Sequence, residues 1–315
     1  MYILGFDIGG TKCAVITANC DGNSITLLEK AVCPTDLNIT PEEMINKLIE
    51  MADGILTNKP EKIGISCGGP LDSEKGLILS PPNLRGWDNI PIVDIINKHY
   101  NVSVNLQNDA NACALAEWKF GAGKGSKNMV FMTFGTGLGA GLILDGKLYN
   151  GTNGNAGEIG HISLSENGPM GFGKNGSFEG FCSGGGIAQL GYTLALDSVK
   201  KGVYPIYFKN GMTQNDVTAK SIADAALEGD ETAMDVYRIS GKYLGLGLSI
   251  LIDILNPEVI VIGSIFARNK DLLLPFAKTI LNFEALPESL KCCRIEAAAL
   301  GEKVGDYAAI ATAIM

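Results

Sequence analysis

The order of apolar and polar positions divides the chain into short β-rich runs and a smaller number of segments with helical spacing. Tyr2–Phe6 and Lys12–Thr17 are joined through Asp7-Ile8-Gly9-Gly10-Thr11, and Asp21-Gly22-Asn23 offers a hairpin turn into a third strand near Ile25–Val32. From Pro41 to Leu56, Met44, Ile45, Leu48, Ile49 and Met51 recur at helical spacing behind Thr40, a good N-cap followed by proline. Lys62–Ser66 reads as a strand that ends in Cys67-Gly68-Gly69-Pro70, and Ile90–His99 as a helix. Val102, Val104 and Leu106 then mark a strand that runs through Asn108-Asp109 into an alanine-rich helix reaching Glu117. A meander followed by alternating strand and helix implies a mixed sheet with helices around it.

The theme recurs from Met129. Met129–Phe134 and Ala140–Leu144 flank the turn Gly135-Thr136-Gly137-Leu138-Gly139, Asp145-Gly146 closes another hairpin, and Lys147–Tyr149 follows. Both halves therefore begin strand, glycine-rich turn, strand, hairpin, which suggests duplicated lobes. Helical patterns occupy Ser221–Leu227 and Asp230–Leu255, Pro257 ends the latter, and Val259–Ile262 is a strand running into Gly263-Ser264. The apolar helix from Tyr307 to Ile314 is expected to pack back on the first lobe. The lobes are placed at residues 1–118, with 303–315 returning to them, and at 119–302.

Composition narrows the function classes. With 315 residues, 46% hydrophobic and 19% charged, the chain has the make-up of a globular protein too long for a single compact core. A formal charge of −9 without a Lys/Arg stripe argues against nucleic acid, and Gly121–Lys127 holds only two lysines. The apolar run Tyr243–Leu255 contains Asp253 and is too short to span a bilayer, so no membrane partner is expected. The N-terminus starts on an apolar strand without a basic leader, and the eight cysteines show no CxxC spacing. Buried free thiols and a cytoplasmic location are the expectation. If Cys292-Cys293 lies in a strand, the two side chains point to opposite faces and do not form a redox pair.

The candidate chemistry centres on Asp109. An aspartate where a strand meets a helix is usually a cap for free backbone N–H groups. Two glycine turns elsewhere favour a second reading, in which a lone acid between two phosphate cradles is the general base of a phosphoryl transfer. Glycine turns expose backbone N–H groups to phosphate oxygens. Asp7 would repel phosphate but could hold Mg²⁺ or its waters. Neither turn fits a P-loop or a dinucleotide fingerprint, because each leads into a strand.

The motifs DIGGTK, Cys67–Pro70, Pro82–Trp87 (PNLRGW), NDANACALAE, TFGTGLGAGLIL and Asn155–Ile162 (NAGEIGHI), in this order, resemble the ROK family of sugar kinases and sugar-responsive repressors. The resemblance implies an α/β fold, the two-lobed actin-like ATPase (ribonuclease H-like) architecture with a cleft between the lobes. It implies ATP and Mg²⁺ as cofactors, a small sugar as partner, and allows a homodimer. Carried over residue by residue, Asp109 matches the catalytic base, and Asn83, Asn108, Glu158, His161 and Glu179 match sugar contacts. Asp7, Gly9, Gly10, Thr11 and Lys12, with Thr133, Gly135, Thr136 and Gly137, match the two ATP phosphate motifs, and Gly263 falls near the nucleoside, as does Ser183–Gly186.

One departure stands out. Where relatives carry a zinc-binding CxCGxxGCxE run, this chain has Met170 to Glu179, with Met170, Phe172 and Ser177 at the cysteine positions. One histidine cannot supply a tetrahedral site, so no metal ligand is expected there, and packing of Met170 and Phe172 is expected to stand in for zinc. The implied reaction is phosphorylation of a hexose, with C6 of glucose as first choice. Alternatives are N-acetylglucosamine, N-acetylmannosamine, fructose, allose or a β-glucoside, or an idle sugar-binding protein. A repressor is disfavoured, since such relatives carry a helix-turn-helix before the first phosphate motif and only four residues precede Gly5 here.

Overall fold

A computed structural model describes every residue except Asn23. In chain order it begins with β1 (Tyr2–Ile8), β2 (Lys12–Asp21), β3 (Ser24–Pro34), α1 (Pro41–Ile55), β4 (Lys62–Cys67) and the short pair β5 (Leu71–Asp72) and β6 (Leu77–Ile78). There follow α2 (Ile92–Tyr100), β7 (Ser103–Asn108), α3 (Asp109–Phe120), β8 (Met129–Phe134), β9 (Leu138–Leu144) and β10 (Lys147–Tyr149). After a 3₁₀ turn at Ile159–His161 come β11 (Met170–Gly171), β12 (Lys174–Asn175), α4 (Phe178–Phe181), α5 (Gly184–Lys200), α6 (Ala219–Leu227) and α7 (Glu231–Leu255). The chain ends with β13 (Val259–Ile262), α8 (Ile265–Arg268), α9 (Lys270–Glu284), α10 (Pro287–Cys292), β14 (Arg294–Ala297) and α11 (Val304–Ala313).

Contacts group these elements into two compact units. The first comprises Met1–Lys127, Gly141–Ala156 and Ala299–Met315, and the second Asn128–Ala140 and Gly157–Ala298. Strand β9 thus begins in the second unit and ends in the first.

The first unit is built on a sheet of order β3-β2-β1-β4-β7, antiparallel on the β3 side and parallel across β1, β4 and β7. Alternation along β1 separates two cores. Leu4, Phe6 and Ile8 face the cluster that holds Met44, Ile45 and Leu48 of α1 and Ile92 and Ile96 of α2. Ile3 faces Ala309, Ile310 and Ala313 of α11. Between them, Gly5 pairs with Gly64, and a Cβ at Gly64 would collide with the Ala309 carbonyl. Both strands carry glycine because the alanine-rich α11 lies directly on them. The helix α1 has the expected cap in full: Glu43 N–H donates to Thr40 Oγ1 at 3.2 Å, and Thr40 N–H to the Glu43 carboxylate at 2.7 Å. The turn at Asp21-Gly22-Asn23 falls in part outside the described residues, although Asp21 pairs with Ser24 across it.

In the second unit β8, β13 and β14 run parallel, and the four residues of β13, VIVI, are all buried. Fully covered apolar strands of this kind are what a parallel sheet demands. Three local expectations change. Helix α2 begins at Ile92 rather than Ile90, because Ile90 forms an antiparallel bridge with Ile78. Cys292 ends α10 and Cys293 caps it, so this pair does not lie in a strand; β14 starts at Arg294. Met170 and Phe172 do not pack inside: they are 49% and 75% exposed. All eight cysteines are free thiols, five of them buried. No helix among the described residues is long and apolar enough to cross a membrane.

Candidate active site

In the first unit, Ile8, Cys67 and Asn108 stand side by side in register at the C-terminal ends of β1, β4 and β7. Ligands of α/β proteins gather at this edge, because the chain leaves each strand there through a loop. A cavity of about 140 Å³ opens at that edge, lined by Asp7, Gly9, Gly10, Asn83 and Asp109 and also by Ile8, Cys67, Gly68, Gly69, Pro81 and Leu84. Five of the residues singled out from the sequence therefore share one cavity. The Cys67–Gly69 wall was missed as a site, although the sequence signal was present: a glycine pair directly after a strand. Thr11 and Lys12 are exposed and do not line the cavity.

Asn108 and Asp109 divide the work at the head of α3. Asn108 is the cap, its Oδ1 accepting from the Asn111 N–H at 2.8 Å. Asp109 is the first helical residue, and its Oδ1 accepts from the adjacent Ala110 N–H, at 2.8 Å. The capping role thus falls to Asn108 and leaves the Asp109 carboxylate facing the cavity. Its surface is open to the cavity while protein crowds the carboxyl, and this burial pushes its pKa above the ordinary value. Capping also engages the Asn108 oxygen.

Asp7 lines the same cavity as Asp109. Burial, and after it the like charge of Asp306, raise its pKa to about 6; Asp109 adds to the rise, and Lys30 and Lys12 oppose it. Asp306 is tied to Lys30 at 2.5 Å. The Gly9-Gly10 turn is shaped by close approaches: Gly9 N–H donates to the Lys12 carbonyl at 3.1 Å, and a Cβ on Gly10 would lie 2.5 Å from Asn83 Cβ. Only glycine lets Asn83 come so near the turn.

The remaining candidates belong to the second unit. Thr133 Oγ1 accepts from the Gly139 N–H at 2.9 Å, and the Gly135 N–H donates to the Gly137 carbonyl at 3.1 Å, so the turn is closed from within. Thr136 is exposed at its tip. Glu179, in the first turn of α4, accepts from the Leu138 N–H at 2.9 Å, and a Cβ on Gly137 would lie 2.8 Å from the same carboxylate. Glu179 thus braces the glycine turn, a role its spacing did not reveal. Glu158 and His161 are exposed at the two ends of the 3₁₀ turn, and the His161 ring meets Phe172 edge-on at 5.1 Å. Gly263 directly follows β13, its N–H donating to the Met132 carbonyl at 3.0 Å. The next residue, Ser264, has φ 53° and lies close to Gly135.

The segment Met170 to Glu179 does not fit a zinc ion. His161 is the only imidazole there, and Ser177, at a cysteine position of the family run, caps α4 through the Gly180 N–H at 3.1 Å. What orders the segment is hydrogen bonding: Phe178 N–H to the Ile162 carbonyl at 2.8 Å, and Lys174 Nζ to the His161 carbonyl at 2.7 Å. Among the described residues no group of three or more His, Cys, Asp or Glu side chains is placed to hold a metal ion.

The parallel strands with helices around them, and the glycine turns beside strand ends, define the α/β fold of the actin-like ATPases. The profile of the ROK family matches residues 3–314, and the chain belongs to that family. The glucokinase of Halalkalibacterium halodurans is 32% identical over 312 residues, 96% of this chain and 92% of its own. A ROK family glucokinase from Streptomyces griseus, solved with glucose and AMPPNP, has a TM-score of 0.78 at 29% identity, covering 100% of this chain and 99% of the other. A ROK family transcriptional regulator, a homologue of the E. coli MLC protein, has a TM-score of 0.84 at 25% identity over 99% of this chain and 77% of its own. Kinases and a regulator share the fold, so a choice between them rests on the site.

Proposed function

We propose that this protein is an ATP-dependent sugar kinase with Asp109 as general base and the C6 hydroxyl of glucose as acceptor. The observation that carries the reading is the Asp109 carboxylate: relieved of capping by Asn108, raised in pKa, and set in one cavity with the Gly9-Gly10 turn and Asn83. A base whose pKa is lifted toward the working pH is the stronger proton acceptor. Asp109 takes the hydroxyl proton as the sugar oxygen bonds to the γ-phosphorus and the bond to the ADP oxygen breaks. Such a transition state is loose, so positioning and charge neutralisation dominate.

Asn83 and Asn108, with Glu158, His161 and Glu179, are the residues assigned to the sugar hydroxyls; the amides of Gly9, Gly10, Thr11 and Lys12 and of Thr133, Gly135, Thr136 and Gly137 are assigned to the phosphates, and Gly263 to the nucleoside. Polar pairs that a bound sugar would bury give specificity because an unmatched one is costly. Mg²⁺ suits the first unit, where Asp7 offers a hard oxygen ligand held up in pKa by burial and neighbouring acids. When bound, the ion neutralises phosphate charge. A cytoplasmic location belongs to the same reading, since free thiols suit a reducing compartment that also supplies ATP.

The likeness to a transcriptional regulator favours a second reading, a sugar-binding protein without turnover. One assay separates them: ADP release with ATP and Mg²⁺ against glucose, fructose, allose, N-acetylglucosamine, N-acetylmannosamine and a β-glucoside, in wild type and Asp109→Asn. Turnover of glucose that disappears in the variant is the expected result. Turnover confined to another sugar would move the acceptor but keep the chemistry. Thermal stabilisation by a sugar with no turnover of any would leave the second reading.

A further inference from the structure

The hairpin of β11 and β12 carries a side chain that folding alone does not explain. Phe172 and Gly173 form its two-residue turn, with φ of 47° and 76°. A turn with two positive φ values favours asparagine, aspartate or glycine at its first position, and an aromatic residue there sits on strained backbone. Phe172 is also 75% exposed, so burial does not offset the strain. Strain that the surroundings hold in place is characteristic of functional segments.

The base of the hairpin is fixed from several sides. Met170 N–H donates to the Gln189 side chain of α5 at 2.7 Å, and Gly176 N–H to the Pro169 carbonyl at 3.0 Å. The Gly176 carbonyl accepts from the Leu164 N–H at 2.9 Å. From this anchored base two residues reach His161. The Phe172 ring meets the imidazole edge-on at 5.1 Å, and Lys174 Nζ donates to the His161 carbonyl at 2.7 Å. His161 is exposed, so no core packing limits its ring, and the hairpin supplies the restraint at both side chain and backbone. Met170, Phe172 and Ser177 offer neither thiolate nor imidazole, so this restraint needs no metal.

We propose that the Met170–Asn175 hairpin is a metal-free clamp in which Phe172 and Lys174 are positioning residues that preset His161 for an acceptor hydroxyl, a role that rests on the assignment of His161 to the sugar. A side chain already held in its bound orientation loses less freedom when the ligand arrives, which strengthens binding without a new contact. The strained turn is what brings the Phe172 ring to the imidazole.

Phe172→Gly tests the clamp, because glycine suits the turn and only the ring is lost. Its melting temperature should equal or exceed that of wild type. The KM for glucose, or for the panel sugar turned over in its place, should rise about tenfold, with kcat and the KM for ATP within about twofold. Phe172→Tyr, which keeps the ring, should restore the sugar KM, and Lys174→Met should raise it by less than Phe172→Gly. Dialysis against a chelator, with Mg²⁺ then restored, should leave the sugar KM of wild type unchanged. A second readout needs no turnover: the chain has two histidines, so His161→Gln identifies the His161 ring signal in proton NMR. Phe172→Gly should shift that signal, and Phe172→Tyr should return it close to the wild-type position. An unmoved ring signal, an unchanged sugar KM, an equal rise in the KM for ATP or a chelator-sensitive sugar KM would each overturn the proposal. A wild type that turns over no sugar would count against the proposed kinase, and the ring signal would then decide the clamp alone.

Discussion

The glycine turn at Asp7–Lys12 and the one at Thr133–Gly139 both join consecutive strands, yet they stand in opposite surroundings. Around the first are acids: Asp7, Asp306 and Asp109, with Lys30 and Lys12 only partly compensating. Around the second, backbone groups are braced by neutral partners and one carboxylate, with the Gly135 carbonyl accepting from the Gly184 N–H at 2.7 Å and Leu138 held by Glu179. Similar spacing in the sequence therefore yields two different tools. The first turn stores electrostatic tension beside Asp109, and the second is a stiffened loop whose tip is left open. Substitutions that remove the tension should act through pH and charge, whereas those in the second turn should act through geometry.

The largest effect on stability is expected at Asp7. Its pKa in the folded chain, about 6, lies above the ordinary 3.8, so the folded state holds this proton more tightly than the unfolded chain. Its contribution is fully present below about pH 4 and is lost as pH rises through about 6, a change of order 3 kcal/mol. Asp7→Asn should therefore be more stable than wild type at pH 7.5, with the gap closing below pH 4 in denaturant titrations. An equal gap at both pH values would remove the tension from the account.

Next comes a paired test of the turns. Gly10→Ala drives a methyl against Asn83 Cβ and its carbonyl, at 2.5 and 2.6 Å, so backbone must move. Gly137→Ala meets only the Glu179 carboxylate, the far end of a flexible side chain. The first should lower kcat/KM on the order of a hundredfold and the second much less, because small displacements in a site are costly. The reverse order would show that the second turn is the less tolerant one. Glu179→Ala should follow, losing a charge-assisted hydrogen bond to Leu138 of roughly 1.5–3 kcal/mol and lowering the melting temperature. Smallest is Asn108→Ala, which removes the α3 cap at about 1 kcal/mol. Turnover should fall more than stability if the cap frees Asp109.

Much of this was legible in the residues. The first-unit strands, the capped helix α1 and the fall of Asn108-Asp109 at a strand-to-helix junction follow from spacing and capping chemistry alone. Helices α5 and α9 did not. The first opens on three glycines, which ordinarily disfavour a helix, yet a Cβ on Gly186 would collide with the Gly180 carbonyl, so close packing demands glycine there. The second contains Pro275, a residue that ordinarily marks a boundary. The expectation that Met170 and Phe172 replace zinc by packing holds only as far as the Phe172 ring meets His161 edge-on; a two-residue hairpin leaves both side chains exposed, and hydrogen bonds order the segment. Which of the two neighbouring side chains caps α3 and which is left facing the cavity depends on the one-residue boundary between β7 and α3, which no spacing encodes.

The central claim is that Asp109 is a base and not a support. It is tested most directly by single-turnover phosphoryl transfer from ATP to glucose in Asp109→Asn, with glucose affinity of the same preparation measured by calorimetry. The account predicts transfer slowed by roughly 10²–10⁴-fold with glucose bound within a few-fold of wild type. Transfer at the wild-type rate in the variant would contradict it.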